Sequence, residues 1–498
     1  MNLKFQAHIK SAVTLITALS LIFPLTGCGI IIINDVSSNN VSNTDVEKNF
    51  FESDSAFTPT EYTPYEGKDS GTDMAEHYLS ELPSRDYDGA VFFITTPSSD
   101  YIDPDNTDNN VSRMVYERNR LIEETYDIVL LSSVKNGDTI LREMEQAVAS
   151  DSYYSDLLML PLYMTGQFRI SKVLMNLRSL PFIDLDAPYF NSESVNMTSA
   201  GYETYGAAGS ATLDPSAFSA VFFNRDITEK TGLEMPYSSV TEKKWTWDTF
   251  FEYTQAVSAL NETGGEPLNT LAVQSNASRL ADLVFVSCGN TYVNAAKKNI
   301  PKIAFTQDTA AYSTETAHRL LTDPNAVIDA SSDAVNGFAN GDSFFLIDYL
   351  SVMPQLSDAS ANWGVLPLPT ENEGDEFRTL VANTELIFSV PVNHTNAEMA
   401  SVILSALNAG SYGYLYDEYV AYNMAFVLRD NDSANMLDLI LDSAAFDFAL
   451  AFGNSYPDVA AGTYGLIREA ARNNDLKERF FDAESAAMNS LIQDFKLD

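Results

Sequence analysis

The sequence predicts an α/β protein built on parallel β-sheet, and three observations point there. Early in the body, short apolar runs alternate with amphipathic stretches in the order strand, helix, strand, helix, strand. That order is the signature of a parallel sheet with right-handed crossovers. The runs themselves are apolar throughout rather than alternating, as expected of strands covered on both faces. Hydrophobic residues make up 45% and charged residues 20% of the 498 positions, enough for one large core or two smaller ones and too apolar for a disordered chain.

Taken in order, a helix over 74–82 leads through Pro83 to a first strand over 90–94, ended by Thr95-Thr96-Pro97-Ser98-Ser99. A helix over 111–125 and a second strand over 127–131 follow. The helix over 137–150 carries Ile140, Leu141, Met144, Ala147 and Val148 on one face, a helix-period stripe. A third strand over 157–160 stops at Pro161. Further strands are expected over 220–223, 343–347, 364–368 and 386–390. Thr246 is placed to cap a helix over 249–260, and from Ala397 onward the chain reads as mainly helical. In open sheets of this kind ligands lie beyond the carboxyl ends of the strands, here 95–99 and 161–163.

Charge and composition exclude several classes. The 29 Lys and Arg stand against 69 Asp and Glu, a net charge of −40. Such a field repels phosphate backbones and offers no basic patch to anionic lipid. The two cysteines, Cys28 and Cys288, and four histidines, His8, His77, His318 and His394, leave no framework for zinc, iron–sulfur or disulfide sites. No cofactor or metal is expected. Asp100, Asp103, Asp105 and Asp108 lie close together, but a calcium loop beginning at Asp103 would need Gly where Asp108 stands and a carboxylate where Met114 stands. They read as a solvated acidic loop.

The first residues carry an export signal. Lys4 and Lys10 precede an apolar run over 12–25 that is too short to span a bilayer and is broken by Pro24. The run ends in Leu25-Thr26-Gly27-Cys28, which resembles the lipobox of bacterial lipoproteins. That resemblance implies a signal peptide over 1–27, cleavage before Cys28, and a lipid (palmitate-bearing) anchor on the Cys28 thiol. Cleavage removes two lysines and no acids and takes the charge from −40 to −42. Residues 28–73 then read as the lipidated cysteine and a disordered acidic tether, long enough to stand the body off the membrane by roughly 30–40 Å.

An ordered set of segments carries a wider resemblance. These are Leu82-Pro83 with Asp86-Tyr87-Asp88-Gly89, Tyr116-Glu117-Arg118-Asn119 with Glu123-Glu124-Thr125-Tyr126, Phe222-Phe223-Asn224-Arg225-Asp226, and Trp245-Thr246-Trp247-Asp248. Phe338-Ala339-Asn340-Gly341-Asp342, the run from Trp363 to Pro369, and Met436-Leu437-Asp438 with Phe446-Asp447 complete it. Together they resemble the solute-binding lipoproteins of bacterial ABC importers, maltose-binding-protein-like, in the subgroup common in Firmicutes. The resemblance implies a two-lobed periplasmic-binding-protein-like (class II) α/β fold with a hinge between the lobes. One lobe would comprise 74–207 plus 367–420, the other 208–366 plus 421–498. The first crossing would lie at 205–210, where Gly206, Ala207, Ala208 and Gly209 can absorb dihedral change.

Neutral sugars are gripped by planar polar side chains with an aromatic face under the ring. On that chemistry the candidate ligand-binding residues are Thr95, Thr96 and Ser98 after the first strand, Tyr163 after the third, and Glu203 and Tyr205 at the crossing. Asp348 and Tyr349, after a late strand, and Glu385, at the head of another, complete the candidates. Tyr349 is expected to offer a stacking face with few core neighbours. Trp245 and Trp247 read as helix-starting. After Asp186 this chain has Ala187-Pro188-Tyr189-Phe190 where related proteins carry adjacent tryptophans, so the ligand stays open between a sugar, a peptide and another small solute.

The expected function is therefore capture of a small solute, a carbohydrate first, in an interlobe cleft, without catalysis. Delivery would be to an ABC permease, by a monomer anchored on the outer face of the cell membrane and in contact with no nucleic acid. Two rivals remain. A secreted carbohydrate-active hydrolase needs only two carboxylates, although G-x-S-x-G and H-E-x-x-H are both absent. A surface adhesin or scaffold lipoprotein would fit the anchor and the acidic surface but not the order of the segments.

Overall fold

Two separate sheets organise the chain. The structure, a computed structural model, describes residues 71–103, 110–212, 214–262, 270–275, 277–295, 300–328, 333–428 and 430–495. The expected signal peptide, Cys28 and nearly all of the expected tether lie outside the described residues. The tether's last residues do not: the helix Gly71–Glu81 begins inside the span expected to be tether.

The first sheet contains β1 (Ala90–Thr96), β2 (Ile128–Val134) and β3 (Leu157–Pro161), with a strand from far along the chain, Leu386–Ser389, beside β3. β1 lies parallel to both β2 and β3. The helices Asn110–Tyr126 and Gly137–Ala149 make the crossovers, and Asn136 caps the second by accepting from the Thr139 N–H. β1 and β2 each run a few residues past their expected ends because they pair in register from Ala90↔Ile128 to Thr96↔Val134.

The second sheet contains β4 (Ser219–Asn224), β5 (Leu271–Ser275), β6 (Ala326–Ile328), β7 (Ser343–Tyr349) and β8 (Trp363–Leu366), in the spatial order β6-β5-β7-β4-β8. β5 is parallel to β6 and β7, whereas β4 runs antiparallel to β7 and β8. Strand Leu386–Ser389 is β9, antiparallel to β3. β5 and β6 escape the sequence reading: Gln274 and Ser275 break the apolar run of one, and the other spans three residues.

Each sheet has its own core. Phe92, Ile94, Leu157, Met159 and Phe388 pack with the helix Ala397–Ala409 on the first. Phe222, Phe223, Phe344, Phe345, Trp245, Trp247 and Trp363 fill the second. The segment resemblances sit in that framework. Asn224 caps the helix Arg225–Thr231, Arg225 pairs with Asp430 at 2.9 Å, and the Trp245 and Trp247 indoles donate to Pro367 O and Ser287 Oγ. No described helix is long and apolar enough to cross a membrane.

Two extended segments carry the chain between the sheets, and they run antiparallel. Ala207 bridges Phe388 at one end and Phe218 bridges Val381 at the other. The small residues of the first segment permit close approach rather than free rotation. A Cβ on Gly206 would stand 2.4 Å from Ile387 Cδ1, and one on Gly209 would stand 2.2 Å from Asn408 Oδ1 and 2.6 Å from Tyr189 O.

Candidate functional site

Strand ends from both sheets and the two crossing segments converge on a cleft of about 490 Å³. From the first sheet come Pro97, Ser98, Asp100 and Tyr101 after β1, and Pro161 and Tyr163 after β3. The crossing segments contribute Thr212, Asp214, Ser216 and Ala217 on one strand and residues 380–386 on the other. The second sheet's side supplies Tyr349 and Ser351 after β7, Arg279 and Asp282 from the helix Ala277–Ser287, and Arg468 from the helix Tyr464–Asn473.

At the crossing, polar groups are tied together. The Asp214 N–H donates to Glu385 Oε1 at 3.1 Å, and Tyr101 Oη donates to Asp214 Oδ1 at 3.0 Å. Asp214 Oδ1 also accepts from the Ser216 N–H at 2.8 Å. Glu385 is 2% exposed, and its backbone is held by bonds to Ala382 O and from the Leu162 N–H. Burial first, then the neighbouring Asp214 charge, pushes its carboxyl well above the ordinary carboxylate range.

Across the cleft, Arg468 forms a forked ion pair with buried Asp282, which also accepts from Tyr292 Oη at 2.8 Å. Burial raises the Asp282 carboxyl while Arg468 opposes it. The Arg279 guanidinium lies 4.9 Å from the centre of the Tyr349 ring, a cation–π stack.

The structure brings four of the nine candidates to this cleft: Ser98, Tyr163, Tyr349 and Glu385. The other five lie elsewhere. Thr95 and Thr96 are buried, Thr95 donating to Ser155 Oγ and Thr96 closing the turn at Ser98. Asp348 does not line the cleft and accepts from the Tyr349 N–H. Glu203 and Tyr205, hydrogen-bonded to each other, line a different groove of about 1040 Å³ with Arg169 and Phe495. Tyr349 corrects an expectation: it is 6% exposed, part of the second core, and its face is covered by Arg279. Sequence reasoning missed Tyr101, Asp214, Arg279, Asp282 and Arg468; only Tyr101, just past a strand end, stood near an expected site.

A second cavity of about 500 Å³, lined among others by Met74, Tyr189, Ser411 and Asp442, lies away from the strand ends. No group of three or more His, Cys, Asp or Glu able to hold a metal occurs among the described residues. Asp100 and Asp103 are engaged by Ser98 and Ser132, while Asp105 and Asp108 lie outside the described residues. Cys288 is buried and its thiol is pushed up by burial.

Residues 194–435 match the sequence model of the bacterial extracellular solute-binding protein family. Three solved structures share the fold. The apo form of RafE from Streptococcus pneumoniae aligns at 13% identity and TM-score 0.51, over 81% of this chain and 98% of RafE. UgpB from Mycobacterium tuberculosis, in complex with glycerophosphocholine, aligns at 14% identity and TM-score 0.51, over 82% and 99%. The galacto-N-biose/lacto-N-biose I-binding protein of the ABC transporter from Bifidobacterium longum, in complex with lacto-N-biose, aligns at 14% identity and TM-score 0.54, over 83% and 99%. No curated protein matches the chain in sequence. The fold is that of the two-lobed solute-binding proteins. The match to the bacterial extracellular solute-binding protein family is carried by residues 194–435, just under half of the chain.

Proposed function

We propose that the chain captures a small solute, a carbohydrate first, in the cleft between its two sheets and hands it to an ABC permease without transforming it. The observation that carries this reading is the cleft's construction. Strand ends of both sheets meet over two antiparallel crossing segments, so a change of angle at the crossings opens or closes the site. Ser98, Tyr163, Tyr349 and Glu385, with Tyr101, Asp214 and Arg279, supply hydroxyls, carboxyls and aromatic edges suited to a polar ring. Structural relatives bind lacto-N-biose and glycerophosphocholine, which supports a hydroxyl-rich solute. On this reading the lobes are residues 74–207 with 367–420 and residues 208–366 with 421–498. The mature protein is a monomer held at the outer face of the membrane through lipid on Cys28.

A thermal-shift screen of mono- and oligosaccharides, peptides and glycerophosphodiesters tests the reading. Solute at a hundredfold over its dissociation constant should stabilise the native state by about 2.7 kcal/mol. Turnover of a glycoside by the purified protein, or no shift with any of these solutes, would overturn it.

A further inference from the structure

Glu385 stands apart from every other acid of the cleft. Its Oε1 is occupied by the Asp214 N–H, but its Oε2 is buried and has no hydrogen-bond partner among the described residues. The residue nevertheless lines the cleft. A buried polar atom without a partner is costly, and its cost is relieved when a ligand supplies the missing bond.

The groups around Glu385 decide which form of the carboxyl fits. Asp214 faces it from the other crossing segment, and Tyr101, bonded to Asp214, from the loop after β1. Tyr419, from the helix Tyr414–Phe426, is close enough to feel the Asp214 charge. Tyr163 and Asp100 line the same side of the cleft, and its cations, Arg279 and Arg468, come from the other sheet's side. Among the described residues no cation therefore pairs with Glu385, and a negative charge there would meet that of Asp214.

We propose that Glu385 serves as a neutral carboxylic acid, donating a hydrogen bond from Oε2 to an uncharged oxygen of the solute and so selecting a hydroxyl or ether oxygen over an anionic group. The proposal rests on the cleft being the solute site. Closure over the solute then completes the polar chain that runs from Tyr101 through Asp214 to Glu385. An anionic oxygen at the same place would set a second negative charge beside that of Asp214.

Two variants separate the outcomes, with calorimetry on lacto-N-biose and other neutral mono- and oligosaccharides across pH 5–9. Glu385→Gln keeps an acceptor for the Asp214 N–H and places an amide donor where the acid proton stood. It should bind within about threefold of the wild type near neutrality and lose the pH dependence. The wild type should weaken as pH rises and Glu385 ionises. Glu385→Ala should bind about tenfold or more weakly. The infrared difference spectrum of wild type against Glu385→Gln, read at pH 7 without solute, should contain a protonated-carboxyl band.

Tight binding by Glu385→Ala, a Glu385→Gln variant tenfold weaker than the wild type, or absence of the band overturns the proposal while leaving the cleft as the site. If the wild type binds none of these sugars, the reading of the cleft as a carbohydrate site falls, and this proposal falls with it.

Discussion

The backbone N–H of Asp214 donates to the side chain of Glu385 at 3.1 Å, joining the two strands that connect the sheets. This is a bond between crossing segments rather than within one sheet. Any rotation at the crossing must either carry both strands together or break it.

The same pair gives a pH dependence of stability. Folding raises the Glu385 pKa, so the native state holds a proton that the unfolded chain releases at lower pH. Stability is then fully present below the unfolded pKa and is lost as pH rises from the ordinary carboxylate range toward the folded value. Glu385→Gln removes that loss. Its melting temperature should gain on the wild type by about 2 °C or more between pH 4.5 and pH 7.5, read by calorimetric scans at both values.

Tyr349 should matter to folding as well as to binding. Its ring is in the second core and stacked under Arg279, so Tyr349→Ala should destabilise by about 3 kcal/mol or more. Tyr349→Phe keeps the ring and should cost under about 1.5 kcal/mol. Denaturant titration of the two variants tests this.

Gly209 has no room for a side chain at the crossing. Gly209→Ala would drive a methyl into Asn408 and the Tyr189 carbonyl and should cost about 1–3 kcal/mol. Because Asn408 Oδ1 also accepts from the Ala211 N–H at 3.2 Å, the variant should show altered exchange at that amide.

Cys28→Ala should abolish metabolic labelling by a fatty-acid probe and block lipoprotein processing. Undiminished labelling in the variant would place the modification elsewhere.

The first sheet was legible because its strands are apolar on both faces and its helices carry period-3.6 stripes, as at Ile140, Met144 and Ala147. The second sheet was half legible. β4, β7 and β8 announce themselves by Phe222, Phe223, Phe344, Phe345 and Trp363, whereas Gln274 in β5 is buried by a bond from Ser343 Oγ that no periodicity reveals. At the cleft, strand ends pointed to Ser98, Tyr163 and Tyr349. Arg279, Asp282 and Arg468 come from helix faces whose orientation depends on tertiary packing. Thr95 and Thr96 misled because β1 continues through them in register with β2, carrying both hydroxyls into the interior.

The pairing of β9 with β3 sets an order of assembly. Phe388 lies opposite Met159, and every strand of the second sheet is synthesised between them. Until residues 386–409 emerge, the first sheet has an open edge at β3 and lacks the helix that fills its core. Closing that edge spans a long loop, and its entropic cost falls sharply if the intervening chain has already compacted. The lobe that the chain begins first is therefore closed only after every strand of the other sheet has been made, and a chain truncated before β9 leaves β3 exposed as an apolar edge open to pairing with another molecule.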